Sequence, residues 1–311
     1  MELVDQDIPG PRRVYPGYGR RQPKVVWPND AKLVLSLCIN HEEGSEYSHA
    51  AGDGRNEGLA EIPYSMPDEY RDLAVESVYE YGSRAGVFRL MRLFDEYKID
   101  TTWFAAAVAI ERNPEVGEWI QETGRVEVCS HGWRWSEHWL FSREEEAERI
   151  RWAIESFTKT CGQRPVGWYC RYGPSVNTRE LLVEEGGFLY DSDAYNDDLP
   201  YFTEVRGKRH LVVPYSFTYN DARFILPQGS GGPADWADLC VRGIDELLRE
   251  GRAGQPKMMS IGLHPRWIGQ AARTSALREV IEHALGQGDV AFMQRRHVAQ
   301  WWLDHHEEWA R

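Results

Sequence analysis

The stretch KLVLSLCINHEEG, residues 32–44, joins an apolar run to a short polar segment. The run at residues 32–39 is typical of a parallel β-strand buried on both faces, because apolar side chains follow one another without the alternation of a half-exposed strand. The polar segment places Glu42 and Glu43 directly after this strand. In barrels of parallel strands, the carboxyl ends of the strands carry the catalytic and binding side chains.

Strand and helix patterns alternate through the remainder of the chain. Ser142 and Glu145 have the spacing of a capping box at the start of a helix, and Gly162 marks the end of that helix. Such alternation within 311 residues predicts an α/β fold in which a parallel sheet closes into one barrel. The further strands are predicted at residues 101–110, 125–130, 166–170, 188–193, 210–215, 222–227, 257–264 and 289–294.

The predicted domain organisation is an N-terminal arm followed by one barrel domain. Residues 1–30 are rich in Pro, Gly and Arg, which favours an extended arm lying across the body or a neighbouring subunit. Residues 31–311 then form the single barrel domain. A long polar segment at residues 45–66 is expected to cover a site, because it is too long for a simple connection.

Composition narrows the partners and the compartment. The net charge of −13 argues against nucleic acid, because phosphate binding needs a basic surface. The sequence shows neither an apolar run of membrane-spanning length nor a secretory segment, so we expect a cytoplasmic protein without a membrane partner. The five cysteines are scattered and lack CxxC spacing, which favours buried reduced thiols. The 13 tryptophans favour an aromatic-lined pocket or a subunit contact.

Polar residues follow several of the predicted strands and would meet at one mouth of the barrel. Each one alone has an ordinary structural interpretation, such as a solvated loop or a core histidine. Their shared placement favours an active site. These residues are Glu42 and Glu43, His131, Arg171, Asp191 and Asp193, and His264.

The segments around these residues resemble a known family. In chain order, CINHEEG, SHGWRW, RYGPS, YDSD and IGLH are similar to the five motifs of the polysaccharide deacetylase (NodB homology) superfamily. Longer segments, such as VYEYGSRAGVFRLMRLF, resemble its bacterial allantoinase branch. The resemblance covers most of the chain and implies a distorted (β/α) barrel. One run, WYCRYGPSVNTRE, is a residue longer than the allantoinase pattern, which leaves substrates other than allantoin open.

The resemblance also implies catalytic roles. Glu42 corresponds to the general base, His264 to the catalytic acid, and Arg171 to the residue that holds the base. Asp193 or Asp191 is expected to orient His264. Glu43 is expected to raise the pKa of Glu42 by repulsion between like charges.

The substrate is expected to lie in a flat slot near these residues. His131 would donate to the developing oxyanion, and Glu43 would bind substrate N–H groups. The residues expected to contact the substrate are Glu43, His131, Trp133, Trp135, Tyr169 and Asn177.

The resemblance implies three metal-ligand positions, which fall here on Glu43, His131 and Trp135. An indole offers no lone pair to a cation, so we expect no cofactor. If a metal were bound, Glu43 and His131 would be its ligands, zinc would be the metal, and His138 would be the only substitute third ligand.

The predicted function is hydrolysis of a C–N bond other than a peptide bond, opening a small cyclic amide or ureide without a metal. Allantoin is the leading substrate, and cyclic imides and amides are alternatives. The alternative function is that of a zinc-dependent deacetylase of polysaccharides or N-acyl compounds, and a non-catalytic binding module is the third possibility. The expected partners are a small molecule and further copies of the chain, in a dimer or tetramer.

Overall fold

A mostly parallel β-sheet forms the centre of the molecule, which is described by a computed structural model over residues 8–227 and 229–309. The first strand confirms the prediction from residues 32–39, because all nine of its residues are buried. The strands of the described residues are β1 Leu33–His41, β2 Thr101–Ala105, β3 Val126–Ser130, β4 Gly167–Trp168, β5 Tyr190–Asp191, β6 Tyr201–Val205, β7 Lys208–Val212, β8 Lys257–Leu263 and β9 Val290–Phe292.

The strand order places β1 between β2 and β8. The full order is β6-β7-β5-β4-β3-β2-β1-β8, and β9 pairs with the first residues of β1. The pairings are parallel except for the hairpin of β6 and β7. Because neighbouring parallel strands end at the same edge, the residues that follow β1, β3 and β8 lie near one another.

Helices pack against this sheet and bury their apolar sides. The capping box at Ser142 and the left-handed Gly162 bound α5 as predicted. None of the helices in the described part of the chain is long and apolar enough to cross a membrane. The helices are α1 Leu73–Tyr81, α2 Val87–Tyr97, α3 Ala107–Arg112, α4 Pro114–Thr123, α5 Arg143–Cys161, α6 Thr178–Glu185, α7 Pro233–Arg252, α8 Ala271–Gln287 and α9 Arg295–Trp309.

Arg295 links the two ends of the strand order through the interior. This side chain is fully buried and donates hydrogen bonds to Ser260 Oγ in β8 (2.7 Å) and Ser192 Oγ after β5 (3.0 Å). It also donates to the carbonyl oxygens of Val213 and Pro214, directly after β7. The sheet therefore curves into the distorted (β/α) barrel that the sequence predicts, in a single α/β domain.

Two local predictions are wrong, and one strand was not predicted. Residues 106–110 do not continue a strand, because the chain turns into α3 directly after β2. Residues 222–227 form a 3-10 turn, Asp221–Phe224, and its neighbours in place of the predicted strand. The hairpin strand β6 lacked a recognisable apolar run, and its residues are half-buried or exposed except the last.

The carboxyl end of the predicted arm packs on the body. Residues 8–27 contain neither helix nor strand, whereas residues 1–7 lie outside the described part. Trp27 is buried, with its ring 6.1 Å from that of Trp302 and 6.5 Å from that of Trp309 in α9. A cavity of about 1860 Å³ lies between part of the arm and the body. Neither Glu42 nor His264 lines this cavity. The division at residues 1–30 and 31–311 stays a prediction.

Two glycines let a helical segment approach the strand ends closely. One π-helical turn, Gly82–Gly86, joins α1 to α2, and such turns are frequent at functional sites. A Cβ at Gly86 would lie 2.0 Å from the carbonyl oxygen of Pro265, and one at Gly82 would lie 2.6 Å from Cγ of Glu43. The absence of a side chain at these positions therefore fixes the distance between this helix and the residues beside β1 and β8.

We predict that Gly86→Ala destabilises the protein, because the new methyl group meets a backbone atom that cannot move cheaply. The matched control is Gly286→Ala in α8, where a Cβ meets nothing within 4 Å. Chemical denaturation should show a loss of about 1–3 kcal/mol for Gly86→Ala. The control should be neutral or gain about 0.5–1 kcal/mol, as expected for replacing a helical glycine. Equal stabilities of the two variants would contradict this account of the close approach.

Candidate active site

Three strand ends bring a carboxylate and two imidazoles together. Glu42 follows β1, His131 follows β3 and His264 follows β8, and all three side chains are buried. Oε1 of Glu42 lies 3.3 Å from Nε2 of His131 and 3.5 Å from Nε2 of His264. The expected meeting of Glu42 and His264 across one site is therefore present in the fold.

His264 is oriented by Asp221. Oδ1 of Asp221 lies 2.6 Å from Nδ1 of His264, and Oδ2 accepts from the backbone N–H of His264 (2.7 Å) and of Ile268 (3.1 Å). The expectation that Asp193 or Asp191 orients His264 is therefore wrong. Asp221 directly precedes the segment predicted as a strand, residues 222–227, and it begins a 3-10 turn there instead.

The surrounding carboxylates hold a proton on His264. Burial is the largest single effect and lowers the pKa of this imidazole, but the charges of Asp221 and Glu42 outweigh it. Together with their hydrogen bonds, they raise the pKa of His264 to about 9. At neutral pH the ring therefore carries protons on both nitrogens, with Nε2 directed toward Glu42.

Glu42 is held in the ionised form. Burial, the largest effect, raises its pKa, but the charges of Arg266 and His264 are the main opposing effects, and the pKa lies well below its ordinary value. The expectation of a raised pKa for Glu42 is therefore wrong, because the net shift is downward. A neighbouring guanidinium decides the charge state, not the second carboxylate.

That guanidinium belongs to Arg266, which the sequence prediction missed. Its Nη1 lies 2.8 Å from Oε2 of Glu42 and 3.2 Å from Oε1 of Glu43. The first contact is an ion pair without an in-line hydrogen bond, since Oε2 of Glu42 accepts none from the described residues. The position of Arg266, two residues after His264 in HPRW, was the only sequence signal for it.

Arg171 has a different partner from the one expected. Its two terminal nitrogens donate to the carboxylate of Glu57, both at 2.8 Å, and its guanidinium lies 3.7 Å from the centre of the Trp135 ring. The expectation that Arg171 holds Glu42 is therefore wrong. Arg171 instead fixes the 45–66 segment over the site, as expected for that segment, because Glu57 is buried there.

The indole N–H of Trp135 donates a hydrogen bond to Nε2 of His131. Nδ1 of His131 lies 2.7 Å from the carbonyl oxygen of Tyr169 and must donate to it, which leaves Nε2 as the acceptor in the neutral ring. Nε1–H of Trp135 donates to this Nε2 at 3.1 Å. His131 therefore has no proton to give to an oxyanion, contrary to expectation, and no free lone pair.

These contacts do not fit the metal that the resemblance implies. Glu43 accepts from the backbone N–H of Arg266 (3.0 Å) and of Glu42 (3.2 Å), and its Oε2 lies 3.3 Å from Nδ1 of His41. With His131 capped by Trp135, neither expected ligand offers a free donor atom. The contact recorded for His138 is with a different carboxylate, since its Nδ1 lies 3.1 Å from Oε1 of Glu146. Within residues 8–227 and 229–309, no group of three or more His, Cys, Asp or Glu is arranged to hold a metal.

The two aspartates after β5 form a separate buried cluster. Asp191 accepts from Arg179 (2.7 and 2.9 Å), and its Oδ2 lies 2.8 Å from Nε2 of His210, contacts that lower its pKa despite burial. Asp193 accepts from the backbone N–H of Cys170 at 2.8 Å. Burial, together with the charge of Asp191, raises the pKa of Asp193 to about 7. This cluster braces β4 and β5 and does not contact His264.

Aromatic rings enclose the site, but not all those expected. Tyr169 stacks on His131 with ring centres 5.1 Å apart, and Trp267, which the sequence prediction missed, lies 4.3 Å from His264. Trp133 packs outside against Trp152 of α5. Asn177 precedes α6, where its backbone N–H donates to Ser175 Oγ. The expected substrate contacts of Trp133 and Asn177 are not supported by these positions.

Comparisons with known proteins identify relatives of this chain. A family model described as polysaccharide deacetylase matches residues 69–189. A protein of Schizosaccharomyces pombe, provisionally named as a polysaccharide deacetylase, is 33% identical over 299 residues, which cover 90% of this chain and 93% of that protein.

Two solved structures resemble the chain over nearly its full length. A protein from Pseudomonas aeruginosa PAO1, described as a probable polysaccharide deacetylase, has a TM-score of 0.89 and 43% identity, covering 96% of this chain and 99% of that one. The structure of Puue allantoinase has a TM-score of 0.91 and 41% identity, covering 99% of this chain and 100% of that one.

We predict that Asp221→Asn lowers the pKa of His264, whereas the matched change Asp193→Asn does not. An asparagine at 221 keeps an oxygen for the backbone N–H groups but removes the negative charge beside the imidazole. NMR titration should show the pKa of His264 falling from about 9 to below about 7 in Asp221→Asn. A shift of that size in Asp193→Asn alone would return the orienting role to Asp193.

Proposed function

The chain belongs to the polysaccharide deacetylase family, and from that membership and the contacts of its site we propose that it opens a small cyclic amide or ureide by hydrolysis. The bond cleaved is a C–N bond other than a peptide bond. The observation that carries the proposal is the pairing of ionised Glu42 with protonated His264, 3.5 Å apart, beside ligand positions that Arg266 and Trp135 have closed.

The first step is attack by water on the ring carbonyl carbon. Glu42 accepts one proton of that water while the water oxygen forms its bond to carbon. A carboxylate that is already ionised at neutral pH is in the required state for a general base. Arg266 keeps Glu42 in this state and fixes its orientation through the ion pair at 2.8 Å.

The second step is departure of the ring nitrogen. The C–N bond breaks, the electron pair goes to nitrogen, and Nε2 of His264 gives that nitrogen its proton. Asp221 stabilises the protonated ring beforehand and orients it from the opposite nitrogen, 2.6 Å away. Glu42 then passes its proton to the neutral His264, directly or through solvent, which restores the starting state.

A cyclic ureide or imide suits a site without a Lewis acid. Its carbonyl is flanked by electron-withdrawing groups, so the nitrogen leaves as a stabilised anion and less polarisation of the carbonyl is needed. An N-acetyl sugar amide lacks this activation. The buried site also favours a small molecule over a polymer, which needs an open groove.

The similarity to Puue allantoinase supports a ureide substrate, whereas the relatives described as deacetylases support the alternative of N-acyl hydrolysis. Among ring compounds, allantoin is the leading substrate, and cyclic imides and amides come next. The proposed partners are this small molecule and further copies of the chain.

We predict turnover of at least one ring compound by the purified enzyme, in a screen of allantoin, hydantoin, dihydropyrimidines, succinimide, glutarimide and N-acetylglucosamine oligomers. Glu42→Gln should lower turnover about 100-fold to 10,000-fold with an unchanged fold, because it removes the base at nearly constant volume. The control is Glu96→Gln, which changes an exposed carboxylate paired with Arg278 and should retain full activity.

Bound zinc is measured by mass spectrometry on the same protein preparation. Activity on N-acetylglucosamine oligomers alone, lost to a chelator and accompanied by about one zinc per chain, would establish the deacetylase alternative and overturn ring opening. Undiminished turnover by Glu42→Gln would remove this residue from the role of base.

A further inference from the structure

Arg266 is the most enclosed charge of the site. Its side chain is fully buried, its backbone N–H donates to Oε1 of Glu43 at 3.0 Å, and its Nη1 lies between the carboxylates of Glu42 and Glu43. The segment that carries it is clamped by the neighbouring helix, since Gly86 leaves room only for the carbonyl of Pro265. The guanidinium therefore has one fixed position relative to both carboxylates.

Aromatic rings surround the remaining edge of this guanidinium. Its central carbon lies 4.1 Å from the centre of the Trp267 ring, 4.6 Å from that of Tyr79 and 5.5 Å from that of Trp135. Nε and Nη2 have no hydrogen-bond partner among the described residues. Ring faces attract a cation without needing an acceptor atom, so this enclosure stabilises a permanent charge.

Without Arg266, the three buried carboxylates of the site would face one cation. Glu42, Glu43 and Asp221 bring three buried carboxylates, and His264 already pairs with Asp221. His131 is neutral in the hydrogen-bonding arrangement with Tyr169 and Trp135. A buried carboxylate without a counter-charge is strongly unfavourable, so Glu43 depends on the guanidinium and on its contact with Nδ1 of His41.

We propose that Arg266 is the built-in cation of this site: it takes the place beside Glu43 that a divalent metal would otherwise occupy, and it positions Glu42 for catalysis. Trp135 completes the exclusion of a metal by donating a hydrogen bond to Nε2 of His131. The two expected metal ligands are thus both occupied, Glu43 by the guanidinium of Arg266 and His131 by the indole N–H of Trp135. Arg266 acts as a positioning residue, because it touches the base and not the reacting atoms. The catalytic part of this proposal rests on the proposed function, whereas the exclusion of metal does not.

The exclusion of metal is tested by restoring the missing ligand with and without the guanidinium. Trp135→His supplies an imidazole four residues after His131. We expect Trp135→His alone to bind less than about 0.1 zinc per chain after incubation with zinc sulfate and desalting, because Arg266 still covers Glu43. The double variant Trp135→His with Arg266→Met should bind about one zinc, whereas Trp135→His with Arg266→Lys, which keeps the charge, should not.

Two outcomes contradict the proposal. Stoichiometric zinc in Trp135→His with Arg266 intact would show that the guanidinium does not hold the place of the cation. A correctly folded Met double variant that binds no zinc, with circular dichroism and thermal unfolding like the parent, would show the same. If the Met double variant does not fold, the zinc content of Trp135→His alone still decides.

The positioning role is tested by chemical rescue on the ring substrate identified by the screen. Arg266→Ala should lose about 100-fold or more in kcat/KM, mainly in kcat, and millimolar guanidinium chloride should restore part of it where equal sodium chloride does not. A loss that guanidinium leaves unchanged in a folded variant would overturn the positioning role. Wild-type activity on no ring compound, with the zinc results as expected, would overturn the proposed function alone.

Discussion

The site depends on keeping three buried carboxylates ionised with two cations. Glu42, Glu43 and Asp221 are taken out of water by the strand ends and the helix packed on them, and each would protonate if it had no positive partner. His264 and Arg266 supply those partners at 2.6–3.5 Å. The fold provides these pairs, because β1 and β8 are adjacent and place Glu42 and Glu43 beside His264 and Arg266 at one edge of the sheet.

The same balance explains how a family that is named for deacetylation accommodates a site with closed ligand positions. A cation is still present beside the carboxylates, but it is covalently part of the chain and cannot polarise a carbonyl as an open metal does. Chemistry at such a site is favoured for substrates whose leaving nitrogen is already stabilised. The indole of Trp135 also contributes to this arrangement. Its N–H donates to Nε2 of His131, and its ring lies beside the guanidinium of Arg266.

The sequence predicted the parts that depend on the order of parallel strands. Glu42, His131 and His264 follow buried strands, and strand adjacency alone was enough to bring them together. Asp221 was missed because the apolar residues after it suggested a strand, although the chain makes a 3-10 turn there. Arg266 was missed for a different reason. A charged residue two positions after a strand is usually solvated, and only the packing of Gly86 and the rings around it bury this one.

Position along the sequence gave a wrong prediction where the partner of a side chain comes from a distant loop. Arg171 follows β4 at the expected edge, yet Glu57 of the 45–66 segment takes its guanidinium, and no local pattern predicts that pairing. Asp193 likewise stands at a strand end, but the backbone of Cys170 holds it away from His264. Strand position thus fixes which side chains reach the mouth, while loop contacts decide what each one does there.

The distribution of protons is the most direct measure of this charge balance. A neutron crystal structure at neutral pH locates them without reference to any substrate. The account predicts deuterium on both ring nitrogens of His264, on Nδ1 alone of His131, and on neither oxygen of Glu42. Deuterium on Glu42 together with a singly protonated His264 would contradict it, because the acid and the base would then have exchanged roles.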